Sequence, residues 1–223
     1  MAVTARTGEK GGAAVIQFLP PDAIERRSFE IILEEMGDRA KLIPADQLSL
    51  FQRVIHTSAD FDYLDNLFVS PDAVSSGRRA LSNGATVVTD TNMAKSGISS
   101  HAMNLLGCKV VCRMADPDVA REAKERGVTR AVVSMERAAR ETPEAIFAIG
   151  NAPTALVELC RLVQAGQVRP ALLIGVPVGF VNVVESKEMA KALDVPRIIA
   201  MGRKGGSNVA AAIVNALAYG LTR

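Results

Sequence analysis

The sequence predicts a three-layer α/β protein built on a mainly parallel sheet, and two observations support this fold class. Segment 145–187 reads directly as strand, turn, helix, strand, turn and helix. A strand–helix–strand crossover of this length pairs its strands in parallel through a right-handed connection. Of the 223 residues, 48% are hydrophobic but only 4% are aromatic and none is Trp. The core is therefore built from Ala, Val, Ile and Leu, which suits helices packed on both faces of a sheet.

The chain begins with a small, polar, Gly-rich stretch over residues 1–14, which predicts a disordered tail ahead of a single domain over 15–223. A Pro-Pro pair then opens a helix that Gly37 ends. Ser28 lies toward the apolar stripe of this helix. Its hydroxyl is either bonded back to the helix backbone or is a site hydroxyl.

A second predicted helix begins near Asp46 and ends near His56. The helix dipole and the unpaired carbonyl groups favour a cation at this position. An imidazolium there is suited to acid catalysis near neutral pH. The alternative is a histidine that only caps the helix. We interpret Asp60 and Asp62, which follow, as structural charge partners.

The middle of the chain alternates apolar runs with helices. The apolar runs predict strands over 85–89, 109–114 and 131–133, with helices over 70–83 and after Asp116. Asp90, at the end of the first of these strands, either takes part in chemistry or caps the next helix. Arg130 introduces the third run, as a surface residue or as an anchor for a carboxylate, because guanidinium is a planar two-pronged donor. We interpret His101 as a surface or interface residue.

The last third of the chain supplies strands over 145–149, 171–175 and 198–201, each followed by a helix. Ligands of open parallel sheets bind beyond the carboxyl ends of the strands. The turns 150–154 and 175–180 are therefore expected side by side where a ligand belongs. The small residues and Ser207 before the closing helix form a turn suited to anions. It is not a Walker motif, and no dinucleotide-binding fingerprint follows a strand.

Composition excludes several classes of function. A formal net charge of +2 gives no strong field for nucleic acid. No apolar run is long enough to span a bilayer, and no signal peptide precedes the domain. The three cysteines, Cys108, Cys112 and Cys160, lack the spacing of a metal site. We therefore expect a reduced, cytoplasmic protein without a metal site and without nucleic-acid or membrane partners.

Seven motifs in chain order carry a family resemblance. They are RSFEII, VIH, FVSPDAVSSGR, TDTNMAKSGI, AIGNAPTAL, GVPVGFVNVVESK and GRKGGSNVAAA, at 27–32, 54–56, 68–78, 89–98, 148–156, 175–187 and 202–212. The chain resembles the precorrin-8X methylmutase family of cobalamin biosynthesis, also called cobalt-precorrin-8 methylmutase, from about residue 24 to its C-terminus.

The resemblance implies an isomerase that moves a methyl group from C-11 to C-12 of a tetrapyrrole by an acid-catalysed [1,5]-sigmatropic shift. The product is hydrogenobyrinate from precorrin-8X, or cobyrinate from cobalt-precorrin-8. The resemblance further implies a flavodoxin-like α/β/α homodimer with the substrate near the subunit interface and no organic or metal cofactor.

The same resemblance assigns His56 as the catalytic acid, and Ser28 and Arg130 as substrate-binding residues. A sigmatropic shift requires a placed proton rather than a nucleophile, and the sequence has no nucleophile elbow. The substrate carries many carboxylates, which helix-opening amides and nearby cations such as Arg203 or Lys204 could meet. Further substrate contacts are expected at Asn151, Ala152, Pro153, Thr154, Gly179, Gly205, Gly206 and Ser207; Gly179 would let the backbone approach the macrocycle.

Two other classes of protein remain open from the sequence. In a non-catalytic corrinoid carrier, His56 would anchor the ligand without donating a proton. A flavodoxin-like regulator would need a phosphorylatable aspartate, for which Asp90 is a candidate, but its other motifs are missing.

Overall fold

The computed structural model describes residues 4–5, 14–15 and 20–222. Two short strands, β1 (Thr4–Ala5) and β2 (Ala14–Val15), pair antiparallel. The rest of the predicted N-terminal tail lies outside the described residues.

The main sheet contains β3 (Leu67–Val69), β4 (Thr86–Thr89), β5 (Lys109–Val111), β6 (Ile146–Ile149), β7 (Leu172–Gly175) and β8 (Arg197–Ala200). The helices before β5 are α1 (Pro21–Met36), α2 (Leu48–Ser58), α3 (Tyr63–Asn66), α4 (Ala73–Ser82), α5 (Asn92–Gly97) and α6 (Ser100–Leu105), with a 3-10 helix over Gly37–Leu42. After β5 come α7 (Pro117–Arg126), α8 (Arg130–Glu141), α9 (Pro153–Gln164), α10 (Val183–Lys191) and α11 (Ser207–Thr222).

The strand order is β3-β8-β7-β6-β4-β5, and the neighbours from β4 to β8 are all parallel. Taken alone, these five strands have the 2-1-3-4-5 order of flavodoxin-like folds. Strand β3 is added antiparallel to β8 at one edge. The predicted three-layer, mainly parallel, flavodoxin-like fold is confirmed.

Strand β6 shows how the sequence specifies the layers. Its four side chains are buried, Ile146 and Ala148 in one apolar cluster and Phe147 and Ile149 in another on the opposite face. The first cluster joins the sheet to α2, α4, α5, α6 and α11, and the second joins it to α8, α9 and α10. A strand covered on both faces must be apolar throughout. No helix in the described part of the chain is long and apolar enough to cross a membrane.

The strand predicted over 131–133 is wrong, because these residues lie in α8. The Thr129 side chain accepts a hydrogen bond from the Val132 amide and caps the helix. The buried residues Ala131, Met135 and Ala138 then recur at helical spacing, which continues the pattern past the short apolar run. The antiparallel strand β3 was not predicted.

Candidate active site

The turns that follow β6, β7 and β8 meet at the carboxyl edge of the sheet, as the sequence predicted for the first two. The Val176 amide donates to the Ile149 carbonyl at 2.8 Å, and the Gly206 amide donates to the Val176 carbonyl at 2.9 Å. A Cβ on Gly150 would lie 2.7 Å from Ser207 Cα. Glycine is therefore required where the β6 turn meets the start of α11.

Asp90 fills the position where the strand order reverses, between β4 and β6. Its carboxylate accepts hydrogen bonds from the Gly150 amide at 2.9 Å, the Asn151 amide at 2.7 Å and the Ala152 amide at 2.6 Å. Burial raises the pKa of Asp90, and these amides oppose that shift. Two of the amides that were expected to meet a substrate carboxylate, those of Asn151 and Ala152, are therefore occupied by the chain's own carboxylate. The expectation that Asp90 caps the next helix is wrong, because the Thr91 side chain caps α5. Asp90 instead caps the turn before α9, sixty residues later in the chain.

His56 lies in the last turn of α2 and is exposed. Its ring centroid is 5.2 Å from that of Phe29 on α1. Helix α2 runs antiparallel to α11, because Arg53 lies over the Tyr219 ring near the end of α11, while Lys204, just before α11, pairs with Asp60 beyond the end of α2. The end of α2 that carries His56 is thereby placed at the same sheet edge as the turns.

Ser28 is half-buried on α1, and its hydroxyl donates to the Ile24 carbonyl at 2.8 Å. This is the backbone bond that one of the two sequence interpretations expected. The oxygen keeps its capacity to accept a hydrogen bond.

Arg130 is the first residue of α8 and is exposed. The neighbouring Thr129 hydroxyl donates to the Thr154 hydroxyl at 3.3 Å. The start of α8, which carries Arg130, therefore lies beside the start of α9. Pro153, the first residue of α9, has no amide hydrogen to offer a ligand.

The start of α11 is less open than the sequence predicted. The Gly206 amide is already paired with Val176, and the Ser207 hydroxyl lies 2.7 Å from the Thr91 hydroxyl. A Cβ on Gly205 would lie 2.1 Å from the Val176 carbonyl oxygen. The absence of a side chain at Gly205 therefore allows the two backbone segments to pack closely. All three residues are thus engaged within the protein, Gly206 and Ser207 by hydrogen bonds and Gly205 by close packing against the β7 turn.

Lys204 is held by the carboxylates of Asp60 at 2.7 Å and Asp62 at 2.6 Å. The Lys204 ammonium lowers the pKa of Asp60, and the structural interpretation of both aspartates is confirmed. Arg203 instead lies over the exposed Phe180 ring, 5.5 Å from its centroid.

The turn after β7 presents a feature that the motif analysis did not single out. Gly179 has φ +142°, and the next two residues expose large apolar side chains, Phe180 at 81% and Val181 at 78%. The Gly179 amide donates to the Arg203 carbonyl at 3.3 Å, which ties this turn to the next. An aromatic ring and an arginine at one rim suit a flat, carboxylated ligand. The run GFV in the sequence is the signal that could have identified it.

Lys187 was also missed as a functional residue. Its side chain is completely buried, and burial lowers its pKa to about 8. Its ammonium donates to the backbone of the loop that carries Arg203 and Lys204. Sequence alone places Lys187 on a helix, as the last residue of the ESK motif, but does not reveal its burial.

A cleft of about 960 Å³ lies at the opposite, amino edge of the sheet. Both acidic and basic side chains line it, among them Asp72, Glu144, Arg79 and Arg169. It contains none of the predicted site residues, and we therefore place the candidate site at the carboxyl edge. His101 is exposed on α6, as predicted for a surface residue. Within the described residues, no three His, Cys, Asp or Glu side chains are grouped to hold a metal ion.

Comparisons with known proteins agree over most of the chain. A family model described as precorrin-8X methylmutase matches residues 23–220. A Priestia megaterium protein named cobalt-precorrin-8 methylmutase is 45% identical over 197 residues, covering 88% of this chain and 87% of that protein. A Pseudomonas aeruginosa protein named precorrin-8X methylmutase is 42% identical over 198 residues, covering 88% and 94%. The crystal structure of a Thermus thermophilus precorrin-8X methyl mutase has a TM-score of 0.83 and 37% identity, covering 89% and 95%.

Proposed function

The chain belongs to the precorrin-8X methylmutase family, and we propose that it is the isomerase that moves a methyl group from C-11 to C-12 of precorrin-8X or cobalt-precorrin-8. The product is hydrogenobyrinate or cobyrinate, respectively. The match over residues 23–220 is the observation that carries this assignment. The gathering of His56 and the strand-end turns at one sheet edge supports it.

His56 acts as the acid. The methyl group migrates within the substrate, so the reaction needs no oxidant, reductant or leaving group. The imidazolium protonates, or hydrogen-bonds to, a ring nitrogen beside the migrating carbon, which polarises the conjugated system. The proton returns to the imidazole once the new carbon–carbon bond has formed. The exposure of His56 leaves it accessible to a large substrate.

The remaining predicted residues bind the macrocycle and its carboxylates. Arg130 and Arg203 bind carboxylates of the substrate. The Ser28 hydroxyl accepts a hydrogen bond from the edge of the substrate or orients the His56 imidazole. Backbone at Gly179, with Phe180 beside it, contacts the face of the ring. Because Asp90 occupies the amides of Asn151 and Ala152, residues 151–154 contribute the side chains of Asn151 and Thr154 and the shape of the turn. Residues 205–207 contribute the close-packed turn that opens α11.

We further propose a cytoplasmic homodimer with the substrate site near the subunit interface. Exposed apolar side chains at the carboxyl edge support an interface there. No organic or metal cofactor takes part, because the proton and the binding groups suffice for a methyl shift.

The test is to mix the purified protein with metal-free precorrin-8X and to follow the visible spectrum over time. We expect conversion to a hydrogenobyrinate-like spectrum. His56→Ala should slow turnover about a hundred- to ten-thousand-fold, the usual contribution of general acid catalysis, while binding largely survives. His101→Ala, at the other exposed histidine, is the matched control and should turn over normally. Wild-type turnover by His56→Ala would contradict the assignment of the acid.

A non-catalytic corrinoid carrier is the competing function. It would bind the precursor without the spectral change. Binding without conversion of precorrin-8X is followed by the same experiment with cobalt-precorrin-8. Failure to convert either compound, with tight binding of both, would establish the carrier in place of the enzyme.

A further inference from the structure

Lys187 on α10 is a completely buried lysine that the proposed chemistry does not use. Lysine is rarely buried without a charge partner, because removing its ammonium from water is costly. Its ammonium donates to the Gly202 carbonyl at 2.8 Å and to the Lys204 carbonyl at 2.7 Å. Both acceptors are backbone groups of the turn after β8, which we call the 202–206 loop.

The carbonyl between these two is also engaged. The Arg203 carbonyl accepts from the Gly179 amide, and the Gly206 amide donates to the Val176 carbonyl. The 202–206 loop is therefore fixed from two directions, by the β7 turn alongside it and by Lys187 from the interior. The side chains of Arg203 and Lys204 are exposed on the surface of the loop.

Through its side chains, the loop reaches the other parts of the site. Lys204 pairs with Asp60, four residues beyond His56, and Arg203 lies over the Phe180 ring. An apolar residue of similar length, such as methionine, could donate to neither carbonyl. An ammonium has three donors on one atom, and bonds from a charged donor are stronger than neutral ones.

We propose that Lys187 is a positioning residue, whose buried ammonium holds the 202–206 loop in its substrate-binding shape through the carbonyls of Gly202 and Lys204. The claim that the loop binds substrate rests on the proposed function, whereas the claim that Lys187 holds the loop rests on the geometry alone. Lys187 does not contact the substrate, because its side chain has no exposed surface. It acts through the backbone that it holds.

The experiment compares Lys187→Met, which keeps the length of the side chain but has no donor, with Lys191→Met one turn later on the same helix. Lys191 lies over the Phe68 ring on β3 and does not contact the loop carbonyls. Hydrogen exchange of the Gly179 and Gly206 amides reports on the loop, and the Ile174 amide in β7 reports on the sheet. Precursor turnover supplies KM and kcat.

In Lys187→Met, we expect Gly179 and Gly206 to exchange about tenfold faster or more, with Ile174 unchanged, because loss of a charged hydrogen bond opens the loop locally. KM should rise about tenfold while kcat stays within about threefold, since His56 lies on another element. Lys191→Met should change neither quantity. Unchanged loop exchange and unchanged KM in a folded Lys187→Met protein would overturn the proposal.

If Lys187→Met does not fold, Lys187→Gln is measured in the same way, because its amide keeps two donors on a slightly shorter chain. Lys187→Gln should still increase the exchange rates of the Gly179 and Gly206 amides above those of the wild type, because its donors are set further from the loop carbonyls. Wild-type exchange at both glycines, together with a wild-type KM, would overturn the proposal. If the wild-type protein neither binds nor converts the precursor, the proposed function fails, and the exchange measurement still decides whether Lys187 holds the loop.

Discussion

Asp90 changes the meaning of the residues around it. The sequence showed an acid at the end of a strand and, sixty residues later, a turn whose amides were suited to an anion. The structure brings the two together, so the anion that these amides bind is the carboxylate of Asp90 itself. This pairing could not be predicted from the sequence, because it depends on β4 and β6 being neighbours in the sheet. The position of His56 at a helix end, by contrast, follows from local signals alone.

Replacing Asp90 tests this internal anion. Asp90→Asn keeps the shape but turns one acceptor into an NH₂ group that faces amide donors. We expect the free energy of unfolding to fall by about 2–4 kcal/mol, the range for a broken buried polar network. Asp194→Asn, at an exposed aspartate, should change it by less than about 0.5 kcal/mol. Urea unfolding measures both, and equal stability of the two variants would show that the three amides do not need the carboxylate.

The burial of Lys187 leads to a second prediction, which concerns the pH dependence of the stability of the protein. Its pKa is lowered by burial from 10.5 to about 8 in the folded protein. Above about pH 8 the unfolded chain therefore holds a proton that the folded chain has released, and stability rises with pH. The Lys204 side chain of the adjoining loop stays protonated across this range, because its ion pairs with Asp60 and Asp62 raise its pKa.

We therefore expect the unfolding free energy of the wild type, minus that of Lys187→Met, to increase between about pH 8 and pH 10, by at most about 1.4 kcal/mol per pH unit. Subtracting the variant removes the contribution of groups that the two proteins share. Urea unfolding at several pH values measures the difference. A flat or falling difference would mean that Lys187 is not desolvated as its burial indicates.

At the scale of elements, the strongly apolar strands β4, β6, β7 and β8 were predicted to within one residue at each end. Strand β5 was predicted to continue to residue 114 but ends at Val111, and two further segments were assigned wrongly or missed. The run 131–133 was too short to distinguish strand from helix by periodicity, and the helix became clear only from buried residues further along, such as Met135 and Ala138. Strand β3 has three residues and is specified by its antiparallel neighbour β8, which no local pattern indicates.

The 202–206 loop makes the third prediction, because two of its glycines differ in their surroundings. A Cβ on Gly205 would lie 2.1 Å from the Val176 carbonyl oxygen, whereas a Cβ on Gly202 would meet nothing within 4 Å. Gly202 has φ +71°, so alanine there carries only backbone strain, about 1–2 kcal/mol. Gly205→Ala must also displace the β7 turn and should lose at least about 3 kcal/mol in thermal or urea unfolding. Similar losses for Gly202→Ala and Gly205→Ala would mean that the loop can move away from β7.

For the molecule as a whole, the flavodoxin-like strand order sets where a ligand can lie. The reversal between β4 and β6 is the usual ligand position, and Asp90 fills its anion-binding amides. We therefore expect a polycarboxylate to use groups beyond that point, such as Arg130 and Arg203. With a net charge of only +2, attraction comes from these local groups rather than from the field of the whole protein.

Exposed apolar side chains at the same edge lead to the last prediction, which concerns assembly. Met93, Phe180 and Val181 follow parallel strands at their carboxyl ends, and each exposes more than two thirds of its surface. An interface there would bury them and lie next to the site. Sedimentation equilibrium should therefore give twice the mass of one chain, and activity per chain should fall when dilution separates the subunits.

Phe180→Glu should shift the protein toward the monomer and raise KM at the same protein concentration, because a charge would be buried in the interface beside the substrate. Leu105→Glu provides the control, since Leu105 is 61% exposed at the end of α6, just before β5 at the amino edge. It should leave both mass and KM unchanged. A protein that is monomeric and fully active at every concentration would show that the site does not depend on an interface. A dimer that Leu105→Glu disrupts and Phe180→Glu does not would place the interface at the amino edge of the sheet.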